Sequence, residues 1–218
     1  MPIAQKFLAD LTENNIYHIY NRTNNKELLF QSDENRRFFL KKYSMYLSPL
    51  LDTYCWCLLP NHFHFLVRIK SQPEIKAYLH NREMLHPAEK DYLEKEQASA
   101  KIFEKAFRRF FTSYSMAFNK MYNRKGNLFH RQFKRVEVIR ESHFTQAIVY
   151  IHANPLKHKI VNDFMTYKWS SWQTLLSDTP TLLLRQEVID WFGGKDNMIK
   201  THREMSQYYY DSKIALEE

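Results

Sequence analysis

Two apolar runs of strand length, Asp52–Leu59 and His62–Ile69, are separated only by Pro60 and Asn61. A two-residue turn leaves no room for a crossover, so the runs must lie side by side as an antiparallel hairpin. Side chains alternate along a strand, which sends His62 and His64 to one face and Phe63 and Phe65 to the other. Two imidazoles side by side make half of a divalent-metal site. The same spacing also suits a hydrogen-bonded histidine pair at a strand end. Cys55 and Cys57 sit in the first run. Two residues apart on a strand, their Cα separation approaches the disulfide limit of about 7 Å, so they read as buried small hydrophobes. With no second cysteine pair, zinc is not expected.

The 218 residues allow one sizeable core, and 16 Phe, 14 Tyr and 4 Trp argue for a folded chain. No stretch of eighteen apolar residues suggests a membrane span, and Met1–Lys6 leads into no signal-peptide core. A soluble, cytoplasmic protein is expected. The formal net charge is +8, unevenly spread. Residues 101–140 hold eleven Lys and Arg against Glu104 and Glu137, a net of +9, while the rest sums to −1. A solvated helix face would carry interspersed acids, whereas a one-sign segment is the footprint of a polyanion.

In chain order, Ile16–Asn21 alternates as a first strand, and Asp33 can cap a helix to about Leu47, stopped by Pro49. After the hairpin, Pro73 opens a short helix through Ile75 and Leu79. A long helix is expected from about Ala88 to Tyr122, with Phe103, Phe107, Phe110, Tyr114 and Phe118 on its apolar face. Gln132–Ile139 reads as a fourth strand. Ser142 opens a helix of about twelve residues that Pro155 should end at Asn154. The segment Tyr167–Trp172 is expected to pack back through its two tryptophans. Three glycines are too few for a Gly-rich phosphate loop. The order β-α-β-β-α-β predicts an α+β, ferredoxin-like antiparallel sheet of four to five strands with helices packed on one face. A domain over 1–177 is expected, with 178–218 as a helical C-terminal appendage. A sheet-based RNA-binding module shares this topology and would stack bases on Tyr17, Trp56, Phe63 or Phe65.

Tyr150 and Asn154, four apart in the Ser142–Asn154 helix, share a face. A tyrosine beside a metal can be a covalent nucleophile, and a carboxamide oxygen one turn away suits Mg²⁺ or Mn²⁺. Read structurally, the same two residues are one more helix aromatic and a C-terminal cap. His152, two positions from Tyr150, should face elsewhere.

Four blocks in order carry a resemblance: Pro60–Phe65, Gly126–Lys134, Tyr150–Lys157 and Trp169–Ser171. Together they resemble the HUH one-tyrosine transposases, and most the REP-associated branch, over roughly Tyr17 to Trp172. The resemblance implies metal binding by His62 and His64 and nucleophilic attack by Tyr150. Asn154 stands where the insertion-sequence branch has a longer glutamine ligand. It also implies a divalent ion, Mg²⁺ or Mn²⁺, and single-stranded DNA carrying a hairpin as partner. The reaction would be nicking and strand transfer through a 5′-phosphotyrosine. Relatives act as monomers or as homodimers. Grip on the strand is expected from the basic segment, with Arg108, Arg109, Arg124, Lys125, Arg131, Lys134 and Arg135 as its candidates.

Overall fold

The computed structural model describes residues 7–94 and 100–211. In chain order these are β1 (Ile16–Arg22), α1 (Asp33–Tyr46), β2 (Leu51–Leu59), β3 (His62–Ile69), α2 (Gln72–His80), α3 (Pro87–Glu94), α4 (Lys101–Met121), β4 (Lys134–Glu137), α5 (Glu141–Lys157), α6 (Trp172–Leu176), α7 (Arg185–Trp191) and α8 (Lys195–Asp211). The strands form one antiparallel sheet in the order β2-β3-β1-β4. β3 lies between β1 and β2, which α1 connects, so this is the split β-α-β arrangement of ferredoxin-like folds. The expected hairpin is present, with Leu59 opposite His62.

Helix α1 starts from a reciprocal cap: Asn35 N donates to Ser32 Oγ, and Ser32 N donates to Asn35 Oδ1. The cap is therefore Ser32 and not Asp33, whose carboxylate instead accepts from Trp169 Nε1 at 2.9 Å and Lys168 Nζ at 2.6 Å. Lys168 is the main reason that carboxyl titrates below its ordinary range. Helix α4 buries Phe103, Phe107, Phe110, Tyr114 and Phe118, the expected stripe. It packs with α1 onto Phe63 and Phe65, where Tyr43 stacks on Phe65 at 4.2 Å and Phe39 meets Phe110 at 4.9 Å.

Three expectations about elements are corrected. A single helix over 88–122 is excluded, because Arg109 of α4 reaches Glu89 of α3 at 2.7 Å. Along one helix those residues would stand about 30 Å apart. Ser142 lies inside α5, which begins at Glu141, and Pro155 sits within its last turn. A proline there removes one N–H but leaves its carbonyl, which accepts from Ile160 N at 2.8 Å. The fourth strand is shorter than expected, Lys134–Glu137.

The helices cover both faces of the sheet, not one. Phe63, Phe65, Val67 and Ile69 join α1 and α4 in one core. On the other face Tyr54, Cys55, Cys57, Leu59 and Leu66 pack against Phe144, Ile148, Val149 and Ile151 of α5 and against Trp172. Both cysteines are free and buried, as expected. The physical reason lies in β2, whose near-continuous apolar run is what a strand buried on both faces requires. Val188, Ile189, Phe192 and Met198 complete this second core, so the boundary expected at residue 177 crosses it. Leu184 N donates to Thr53 O at 2.9 Å, and Glu187 accepts from both Tyr54 and Arg68.

Candidate active site

Register assembles the site on the α5 face. His64 is paired with Tyr20 on β1 and with Cys57 on β2, Tyr20 with Lys134 on β4, and His62 with Arg22. His64 is fully buried and its Nδ1 lies 3.0 Å from His18 Nε2. Tyr20 stacks on both rings, with centroids 4.8 Å from His18 and 5.5 Å from His64. The His62 and His64 rings are 5.1 Å apart. His62 Nδ1 lies 2.6 Å from Asn61 Oδ1. A carboxamide oxygen only accepts, so Nδ1 carries a proton, and in the neutral ring Nε2 is then left with the lone pair a metal ligand needs. His158, just beyond α5, lies edge-on to His62 at 4.8 Å.

Helix α5 brings Tyr150 down on this pair. Its ring sits edge-on 6.1 Å from His64 and 5.9 Å from His18. Residues 150, 154 and 157 fall on one helical stripe. Lys157 Nζ donates to the Tyr150 hydroxyl at 3.4 Å and lies 5.0 Å from the ring centre. Tyr150 is only 1 % exposed. Asn154 is fully buried; its Nδ2 donates to Tyr150 O at 3.0 Å, and its Oδ1 is a buried oxygen that accepts no hydrogen bond from the described residues. Such an oxygen suits a hard divalent cation. Among the described residues, no three His, Cys, Asp or Glu side chains converge as a ready metal cage. An ion at the histidine pair would therefore need further donors, such as a carboxamide oxygen or oxygens of substrate or water.

His152 does point away. His202 Nδ1 donates to Met198 O at 2.8 Å, so His152 Nδ1 donates to His202 Nε2 at 3.0 Å and Ser171 Oγ donates to His152 Nε2 at 2.8 Å. Ser171 Oγ in turn accepts Trp56 N–H at 2.9 Å. Burial lowers both imidazoles, His202 to about 4 and His152 well below its ordinary value, so this chain of donors is neutral. It ties α8 and α5 to β2.

The seven candidate cations divide. Arg109 is tied to Glu89, Arg124 to Glu27 and to the carbonyls of Gly126 and Asn127, and Arg135 to Ala9 O and Glu104. Hydrogen bonding from Arg124 holds the Glu27 carboxyl below its usual range. These three guanidiniums are held by carboxylates of the fold. Arg108, Lys125 and Arg131 are exposed. Lys134 lies over the Tyr20 ring at 5.4 Å. Burial, then the charges of Arg22 and Lys134, hold the His130 imidazole below its ordinary value, so a basic cluster flanks the His62 end of the row. Of the four aromatics the RNA-module alternative would use, Tyr17, Phe63 and Phe65 are buried and Trp56 is half-buried against the α1–α4 core, so the four do not form an exposed stacking platform.

Sequence reasoning passed over His18, Tyr20, Arg22, Lys157 and His158. Two signals were available. Period-two alternation puts His18, Tyr20 and Arg22 on one face of β1, and Lys157 stands seven residues after Tyr150.

No protein-family model matches the chain, and no curated protein matches it. Among solved structures it is similar to a REP-associated tyrosine transposase bound to a REP hairpin, with a TM-score of 0.55 and 13 % identity over 78 % of this chain and 85 % of that one. At that identity the likeness shows a shared fold. The α+β architecture expected from the sequence is thus the one observed, four antiparallel strands with helices. Among the described residues no helix is long and apolar enough to cross a membrane.

Proposed function

We propose that the chain is a metal-dependent enzyme that nicks and rejoins single-stranded DNA beside a hairpin, through a 5′-phosphotyrosine link to Tyr150. One observation carries this reading. A phenol from α5 lies against an imidazole of the His62–His64 pair from β3, although nearly ninety residues separate them in sequence. The four-block resemblance and the likeness to a hairpin-bound transposase support the choice of chemistry and partner.

In this reading His62 and His64, with Asn154 Oδ1, hold a divalent ion, Mg²⁺ or Mn²⁺. When bound, such an ion supplies positive charge to the scissile phosphate. Tyr150 attacks phosphorus, its proton passing to water. The P–O3′ bond breaks, and the 3′ oxygen takes a proton from water. Because one phosphate ester replaces another, rejoining needs no nucleotide cofactor. Exposed Arg108, Lys125 and Arg131, with Lys134 beside the sheet row, supply the salt-dependent grip. Tyr150 and the histidine pair meet within one chain, which supports a monomer as the working unit. Because Tyr150 is 1 % exposed, its hydroxyl must be uncovered as the strand enters.

That depth also favours one other reading, a hairpin-binding relative that no longer cuts. Incubation with labelled hairpin-flanked single-stranded DNA and Mn²⁺ separates the two. A denaturant-resistant adduct that disappears in Tyr150→Phe selects the enzyme. Tight binding without an adduct selects the silent relative.

A further inference from the structure

We propose that Lys157 is a catalytic residue that holds the phenolic oxygen of Tyr150 while charge is on it; this rests on the nicking and joining reaction proposed above. Lys157 ends α5 two turns beyond Tyr150, and its Nζ donates to the phenolic oxygen at 3.4 Å. The plain alternative is structural. A lysine in the last turn of a helix favours the negative end of the dipole, and an ammonium over an aromatic ring is a common packing contact. Lys157 does both, since its Nζ also lies 5.0 Å from the Tyr150 ring centre. Neither role requires the ammonium to reach the hydroxyl, and here it does.

The chemistry gives that contact a use in both directions. During nicking the oxygen loses its proton to water and carries negative charge as the O–P bond forms. During rejoining the strand's 3′ oxygen attacks, the O–P bond breaks, and the phenolate leaves. A charge-assisted donor on the same oxygen stabilises it at both moments. An ion held by His62, His64 and Asn154 would neutralise charge on the phosphoryl oxygens, whereas Lys157 takes the charge of the nucleophile. Asn154, between them on the same helical stripe, belongs to the metal side.

The test is single-turnover adduct formation at saturating hairpin-flanked DNA with Mn²⁺, together with the Kd for the same DNA. Loss of one charge-stabilising donor typically slows chemistry by about 10²–10³. Lys157→Met should therefore slow adduct formation by about 100-fold and change Kd by less than about threefold, and Lys157→Arg should recover most of the rate. Difluorotyrosine placed at position 150 has a better-stabilised phenolate and should recover at least about tenfold in the Lys157→Met background, with little gain in the wild-type one. A purely structural lysine would give no such recovery. A wild-type rate in Lys157→Met, or a loss confined to Kd, or a defect that difluorotyrosine leaves unchanged, overturns the assignment while the nicking reaction stands. Absence of any adduct from the wild-type protein overturns both.

Discussion

Acid should loosen this protein through one buried pair, and the size of the effect follows from His202. Its imidazole is pushed by burial from 6.5 to about 4 in the fold, and His152 moves in the same direction. An unfolded chain takes up protons near 6.5, whereas the folded one refuses them until about 4, so between those values the unfolded state binds more protons. Stability is then fully present above about pH 7 and is lost as pH falls toward 4. At about 1.4 kcal/mol per unit, His202 alone accounts for a loss of roughly 2 kcal/mol between pH 7 and pH 5, with His152 adding to it. Urea unfolding at both pH values, in the wild type and in His202→Gln, measures this. The variant should start less stable, because His152 loses its neutral acceptor, and should lose about 2 kcal/mol less across the interval. An equal loss in both proteins would refute the neutral Ser171–His152–His202 chain.

Other expectations are more direct. His62→Ala and His64→Ala should abolish cleavage while a gel-shift assay shows hairpin affinity within about threefold, because the ion serves chemistry more than grip; a large binding loss would contradict that division. Lys125→Ala with Arg131→Ala should reduce the slope of log K against log salt by nearly 2. Arg124→Ala should instead leave that slope unchanged and lower stability modestly, since it removes the bonds to Glu27 and to the carbonyls of Gly126 and Asn127 while leaving those groups open to water. Asn154→Ala should weaken Mn²⁺ binding by about tenfold or more in calorimetry with no DNA present, and unchanged affinity would remove it from the metal site.

Where the sequence was legible, the signals were local. The two-residue turn and period-two alternation gave β2, β3 and the shared face of His62 and His64, and α4 advertised its aromatic stripe. Helix α1 is legible in its extent but not in its cap, because both Ser32 and Asp33 can cap and only the reciprocal bond to Asn35 decides for Ser32. Covering of both sheet faces is written in the unbroken apolar run Tyr54–Leu59, which by itself marks only one more strand. The basic segment was legible as charge but not as surface. Arg109, Arg124 and Arg135 find Glu89, Glu27 and Glu104, partners 20 to 97 residues away that only the fold brings near. Likewise His18 enters the site through β1–β3 pairing, which no single strand reveals.

The most direct test of the proposed chemistry is to locate the bond. Trypsin should release Glu141–Lys157 as one peptide, and after reaction with hairpin-flanked DNA and nuclease trimming, tandem mass spectrometry should find the nucleotide mass on Tyr150. A nucleotide on Tyr20 or any other side chain, or an unmodified peptide from protein that binds the hairpin tightly, would contradict it.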